Sequence, residues 1–334
     1  MTTCKGIIAP EKGKVILTDV EVTDPRPGYV QVRMARTMIS PGTERAHILA
    51  LPNSNQNFPY VPGYCCAGWV EKVGEGVEDF APGDRVACSA IDVGHRQVGN
   101  VVAERVAHIS DAMSFDYAAF NGLSQTSLQG VRKCGIELGE SVVVLGLGIV
   151  GQLCLQLARA NGATPAIGLD PMEKRREIAM ACGADYVFDN RDTPARELIA
   201  EVTKGKGAQV VLDSTGFPAV LNEACDCAAN FGRVCIVGCP RGLTEFNFYT
   251  LVQLKSLQVI GAHAVHSVPH DRSQPRLWTY QDDMAAFNAL VEKGTIRLEP
   301  LISDRIRWTE AESAFNYLLG WGKDSLAVLI NWEE

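Results

Sequence analysis

The spacing of hydrophobic positions changes near residue 115. Before it, residues 5–35 read as short strands broken by Pro25, Pro27 and Gly28. The stretch Ala67-Gly-Trp-Val-Glu-Lys-Val-Gly-Glu-Gly-Val77, followed by Pro82-Gly-Asp-Arg-Val-Ala87, reads as strand, turn and strand. Glycine-rich turns at this spacing predict a small β-barrel-like domain. Beyond residue 115 the pattern alternates, with helices over 116–134, 150–161, 172–182, 193–203 and 218–229. Strands fall between them at 141–145, 165–169, 186–188, 209–213, 233–237 and 257–261. Such alternation predicts a parallel sheet covered by helices. The tail adds helices over 281–293 and 309–319 and a last strand over 326–330.

One junction in this alternation carries chemistry. The apolar run Val142-Val-Val-Leu145 breaks into Gly146-Leu147-Gly148-Ile149-Val150-Gly151 and passes directly into a helical pattern. A Gly-x-Gly-x-x-Gly turn between strand and helix permits a tight bend, a close approach of backbone to a pyrophosphate and close helix–strand packing. The free N–H groups of the helix N-terminus then face the phosphates. The next strand ends in Asp170, 24 residues after Gly146. That is close to the spacing of a carboxylate that binds the adenosine ribose. A carboxylate there repels a 2′-phosphate and points to NAD, whereas the nearby Arg175 and Arg176 would suit one. In the alternative reading, Asp170 caps the next helix, with Pro171 at its first position. Arg175 joins the cofactor candidates. So do Ser214, Thr215, Val237 and Gly238, which follow or end sheet strands where ligands of an open α/β sheet bind.

Composition narrows the setting. A chain of 334 residues, 46% hydrophobic, accommodates two domains with sizeable cores. A net charge of −8 without a basic block argues against nucleic acid as a partner. No segment has the unbroken apolar length of a membrane span, and the N-terminal residues lack the pattern of a secretory signal. Eleven scattered cysteines suit a reducing cytoplasm.

Four further motifs join the glycine turn: Ser40-Pro-Gly-Thr-Glu44, Val61-Pro-Gly-Tyr-Cys-Cys-Ala-Gly-Trp-Val70, Val73-Gly-Glu-Gly-Val77 and Gly83-Asp-Arg-Val86. Together they resemble the medium-chain dehydrogenase/reductase superfamily over essentially the whole chain. The resemblance implies an α/β protein with a GroES-like β-rich catalytic domain over 1–120 and 266–334. A Rossmann domain, a doubly wound parallel sheet binding NAD, would occupy 121–265. It also implies a homodimer or homotetramer formed by pairing the last sheet strand, residues 257–262, across a two-fold axis.

Zinc-containing members of that superfamily carry a cysteine where this chain has Pro41, and His-Glu where it has Tyr64-Cys65. Their third ligand would fall near Asn121-Gly122, and the four-cysteine lobe is missing, since only Cys88 lies between Arg85 and Ser110. Cys65, Cys66 and His95 could gather into an unusual site, but adjacent residues of a strand point apart. No metal is therefore expected. The motifs resemble a zinc-lacking branch that includes a dehydrogenase of bacteriochlorophyllide side chains and proteins assigned to sugars or cyclitols.

Without a metal, another group must handle the proton of an alcohol. By the resemblance Tyr64 stands at a ligand position, where its phenol would donate to a carbonyl oxygen or accept a proton. The bland alternative is a tyrosine filling the vacated site. Thr43 falls at a proton-relay position. Glu44 would be a base, a group orienting one, or half of a structural salt bridge. His47 lies one residue from the relay histidine, and His95 starts a strand that borders the substrate or is simply hydrogen-bonded. Thr126 would pack behind the nicotinamide. Asn121 is a substrate candidate, as are His266 and Trp278 of the His-, Pro- and Arg-rich loop 262–280, which could equally be a surface or subunit contact.

These readings converge on a zinc-independent, NAD-dependent oxidoreductase acting on CH–OH groups of a sugar, sugar derivative or cyclitol. One alternative is a zinc-free reductase of an activated C=C bond or quinone. Another is a nucleotide-binding structural or regulatory protein without catalysis.

Overall fold

The computed structural model describes residues 2–90, 93–264, 278–320 and 325–333. In chain order the elements are β1 (Thr2–Glu11), β2 (Lys14–Val22), β3 (Tyr29–Ile39), α1 (Pro41–Ile48), β4 (Cys65–Val73), β5 (Arg85–Ser89), β6 (Val98–Val102), β7 (Val106–His108), α2 (Phe115–Ala118) and α3 (Asn121–Cys134). They continue with β8 (Val142–Leu145), α4 (Ile149–Ala160), β9 (Ala166–Leu169), α5 (Glu173–Ala181), β10 (Tyr186–Phe188), α6 (Ala195–Val202), β11 (Ala208–Asp213), α7 (Val220–Cys227), β12 (Ala228–Ile236) and β13 (Gln258–Gly261). The last are α8 (Tyr280–Glu292), β14 (Ile302–Arg307), α9 (Ala311–Leu319) and β15 (Ala327–Asn331). Among the described residues no helix is long and apolar enough to cross a membrane.

The chain forms two compact units. One comprises the described residues of Met1–Leu123, Pro269–Lys293 and Ile302–Glu334; the other those of Ser124–Val268 and Gly294–Leu301. In the first, β14-β15-β3-β4-β5-β7 form a sheet, β6 pairs with β3, and β1 and β2 form a separate hairpin. β3 has neighbours on both edges and almost no exposed position, which its apolar run Val30, Val32, Met34, Met38 and Ile39 permits. Helix α9 closes the core with Phe315 and Leu318.

The second unit is a six-stranded parallel sheet in the order β10-β9-β8-β11-β12-β13. The strand order reverses between β8 and β11, the switch point where open α/β sheets bind ligands. β8 and β9 are buried along their whole length, as the run Val142–Leu145 and its neighbour Ala166–Leu169 allow.

Three departures from the sequence reading have local causes. The single helix expected over 116–134 is two, because the Asn121 amide turns back to donate to Ala118 O at 2.9 Å and competes for a helix carbonyl. Strand β12 starts at Ala228, inside the expected helix, and bulges where Phe231 takes a φ of 62°. β14, Ile-Ser-Asp-Arg-Ile-Arg, is a largely exposed edge strand whose polar residues hid it.

Candidate functional site

In the second unit the glycine turn follows β8. Gly146 has a φ of 82°, a conformation glycine adopts without strain. A Cβ on Gly151 would stand 1.9 Å from Gly146 O, so α4 can pack on the turn only without a side chain there. Gly148 is the N-cap of α4, and a Cβ on it would meet nothing within 4 Å. Space is thus left open over the helix N-terminus. Ile149 is buried and Val150 half-buried in the first turn of that helix.

Neighbouring turns brace this loop. Ser214 Oγ donates to Gly146 O at 2.7 Å. Thr215 N and Oγ1 donate to Asp213 Oδ1 at 2.9 and 2.7 Å. Burial pushes the Asp213 carboxyl up from its usual range, against those two bonds. A Cβ on Gly238 would lie 2.7 Å from Gly216 N, and one on Gly130 would lie 2.8 Å from Val237 Cγ2. Thr126 is the only residue of 121–130 that is not fully buried.

Asp170 ends β9 with its carboxylate turned onto the glycine loop. Leu147 N donates to Oδ2 at 2.8 Å and Met172 N to Oδ1 at 2.8 Å, while Arg175 Nη1 lies 3.4 Å from Oδ2. Helix α5 begins at Glu173, so Pro171 stands outside it rather than at its first position. Arg176 is engaged by Asp170 O and Asp189.

In the first unit a polar cluster lies where β3, α1 and β4 meet. Tyr64 immediately precedes β4 and is half-buried. Its hydroxyl donates to Ser40 Oγ at 2.8 Å. Burial pushes the phenol well above its usual range; Cys65 and Glu44 add to this, while hydrogen bonds with Ser40 and Thr43 oppose it. At neutral pH Tyr64 is a hydrogen-bond donor, not a phenolate. Glu44, on α1, accepts from Ser40 N at 2.8 Å through Oε1 and lies 2.8 Å from His95 Nε2 through Oε2. His95 Nδ1 is 2.8 Å from Thr37 Oγ1, which accepts Trp332 Nε1–H at 2.8 Å.

Neither Glu44 nor His95 has exposed side-chain surface. His95 does not start a strand; it precedes β6 in a loop pinned by its own N–H to Pro62 O at 2.8 Å. Gly63 makes this approach possible, since a Cβ there would lie 2.4 Å from His95 N. His47 stacks on Tyr60 and accepts from Asn55 N at 3.2 Å. Asn121 is fully buried, its amide donating to Asn288 Oδ1 at 2.8 Å, so it is committed to packing inside this unit. Trp278 is 41% exposed, and His266 lies outside the described residues. The sequence reading missed Ser40 and Thr37. A serine directly before a proline and a helical stretch is a readable N-cap signal.

Cys65 and Cys66 face opposite ways. Cys65 Sγ would stand 2.3 Å from a Cβ on Gly122, and Cys66 lies across from Cys88 in the β4–β5 register. Burial pushes the Cys65 thiol well up, and Glu44 adds to it. Among the described residues no group of three or more His, Cys, Asp and Glu side chains is arranged to hold a metal ion.

The model of the alcohol dehydrogenase GroES-like domain matches residues 26–123, and that of a zinc-binding dehydrogenase matches residues 150–276. With these two matches, the chain belongs to the zinc-type medium-chain dehydrogenase/reductase superfamily. It is 28% identical to the L-threonine 3-dehydrogenase of Pyrococcus abyssi, over 94% of each chain. It is 26% identical to the D-guloside 3-dehydrogenase of Escherichia coli K12, over 76% of this chain and 72% of that one. An alcohol dehydrogenase of Escherichia coli CFT073, solved with NADH, shares the fold with a TM-score of 0.85 and 20% identity, over 99% of this chain and 100% of that one.

Proposed function

We propose that the protein is an NAD-linked oxidoreductase that moves a hydride between NAD and a secondary alcohol or ketone of a polyhydroxylated substrate, and does so without zinc. The class, an oxidoreductase of CH–OH groups, follows the dehydrogenases to which the chain is similar. The choice of a sugar, sugar derivative or cyclitol is supported by the guloside dehydrogenase among them. The glycine cradle fits a dinucleotide: open space over Gly148, free N–H groups of α4 and a carboxylate beside the loop. When bound, the nicotinamide supplies the hydride acceptor. The negative charge of Asp170 supports NAD over its 2′-phosphorylated form.

The observation that carries the metal-free reading is the Tyr64–Ser40–Glu44 cluster. The donors present do not fit a zinc ion. Pro41 offers none, the Tyr64 hydroxyl is engaged by Ser40, and Cys65 and Cys66 face opposite ways, Cys65 towards Gly122 and Cys66 across from Cys88. Tyr64 instead offers a fixed phenol oxygen, whose lone pair can accept the hydroxyl hydrogen of an alcohol while its own O–H is held by Ser40. Pairing of β13 edges is our reading of assembly into a homodimer or homotetramer. β13 ends the sheet, and Val259 on it is 43% exposed.

The test is Tyr64→Phe, assayed with NAD across a panel of polyols and cyclitols. Turnover should fall about 10²–10⁴-fold while NADH affinity stays level. Turnover like that of the parent would make Tyr64 a packing residue.

A further inference from the structure

Ser40 stands where a helix cap is expected and does not cap. It is the N-cap of α1, with Pro41 next, a position from which a serine oxygen ordinarily accepts an amide of the first turn. No such bond is made, and Oγ accepts the Tyr64 hydroxyl instead.

A buried line of bonds keeps the serine in that pose. Its N–H is held by one oxygen of Glu44, and the other oxygen of Glu44 is held by His95. Thr37 Oγ1 accepts the Trp332 indole N–H, which leaves its own hydrogen and a second lone pair for His95 Nδ1 at 2.8 Å. His95 Nε2 faces the Glu44 carboxylate at 2.8 Å, so a hydrogen on that nitrogen meets an acceptor. The line joins the residue after β15 to β3, the loop before β6 and α1.

The Tyr64 oxygen cannot take a proton from an alcohol and keep its own. It must give one away as it receives one, and its O–H already points at Ser40 Oγ.

We propose that Ser40 is the proton acceptor through which Tyr64 works, its hydroxyl being kept from the helix cap for that purpose. The proposal rests on the reading of Tyr64 given above. In oxidation, the nicotinamide, when bound to the glycine cradle, would take up the hydride of the substrate C–H bond. The alcohol proton goes to the Tyr64 oxygen, the phenol proton to Ser40 Oγ, and the Ser40 proton onward to solvent, to which this buried serine is 4% exposed. The alcohol becomes a ketone, NAD is reduced, and one proton is released.

Three variants test this. Ser40→Ala removes the hydroxyl. Ser40→Gly removes it with a residue that helices accept at the N-cap, so that a folding loss in the first is separated from the chemistry. Ser40→Thr restores it. The first readout needs no substrate: the ultraviolet resonance Raman difference between each protein and its Tyr64→Phe counterpart, in which the tyrosine Fermi doublet reports whether Tyr64 donates. A donor signature is expected in the parent and Ser40→Thr, and its loss in Ser40→Ala and Ser40→Gly. The second readout is turnover in mixtures of H2O and D2O. A curved dependence, showing more than one proton in flight, is expected for the parent and a less curved one for Ser40→Ala, with kcat lowered roughly tenfold or more.

An unchanged Raman signature in Ser40→Ala overturns the proposal, as does unchanged turnover. A parent-like Ser40→Ala beside an impaired Tyr64→Phe overturns the role of Ser40 alone. A parent-like Tyr64→Phe overturns the reading beneath it as well.

Discussion

His95 Nε2 lies 2.8 Å from Glu44 Oε2, and neither side chain has any surface exposed to solvent. A buried polar pair of this kind contributes little net stability when intact, but losing one member leaves the other without its partner. His95→Phe and Glu44→Leu should each destabilise the fold by about 3–5 kcal/mol. The double variant should cost clearly less than the sum of the two. Urea unfolding of the four proteins measures this, and additive losses would mean that the two residues do not depend on each other.

The three glycines of the dinucleotide turn should separate. Gly151→Ala drives a Cβ to 1.9 Å from Gly146 O, a contact that only backbone movement relieves. It should destabilise the protein by about 2–3 kcal/mol or more. Gly148→Ala meets nothing within 4 Å and sits at a φ of −66° that alanine adopts freely. Stability should stay within about 0.5 kcal/mol of the parent, while NADH affinity falls roughly tenfold. Thermal unfolding beside an NADH fluorescence titration checks both. Loss of stability without loss of binding in Gly148→Ala would contradict the assignment.

Asp170 should set the choice of dinucleotide. Asp170→Asn removes the charge and keeps an acceptor oxygen for only one of the two amides, Leu147 N or Met172 N, that bond separate oxygens of Asp170. The preference for NADH over NADPH should shrink by about tenfold or more. Titration of both cofactors measures it, and a parent that prefers NADPH would reverse the reading.

Alkali should weaken the fold. Burial pushes the thiols of Cys154 and Cys227 up to about 12, and that of Cys225 to about 11, from an ordinary value of 9.0. Between these values the folded chain keeps protons that the unfolded chain has released, so unfolding sheds protons and is favoured by rising pH. The contribution of these thiols is intact below pH 9.0 and is lost as the pH rises towards 12. The Tm should decline steadily above pH 9.0, and a level Tm up to pH 11 would contradict the buried thiols. In the native protein Cys239 is the one exposed cysteine of the eleven, so a thiol reagent should titrate one group before denaturation.

Much of the α/β alternation was legible because buried parallel strands read as continuous apolar runs and the glycine turn has a fixed spacing. Elements set by side chains turning back on the backbone were not. Asn121 splits a helix by bonding Ala118 O, and Phe231 bulges a strand that the pattern had begun later. β14 carries too few apolar residues to announce itself. At the site, Tyr64, Thr43, Glu44 and His95 were legible as positions. Their connectivity was not, since it depends on Gly63 bringing the loop of His95 against the start of β4. Ser40 was overlooked because its motif drew attention to the residues that replace zinc ligands, and not to the serine ahead of them.

The central claim is catalysis on a polyhydroxylated alcohol with Tyr64 in place of a metal. Its most direct measurement is NADH formation from NAD by protein dialysed against a strong chelator. The assay uses a panel of sugars, sugar derivatives and cyclitols, with metal content determined on the same sample. Turnover is expected on at least one member of the panel, with well under one metal ion per chain, unchanged by added zinc and lost in Tyr64→Phe. Activity that disappears with the metal and returns with zinc, in the parent and in Tyr64→Phe alike, would contradict it.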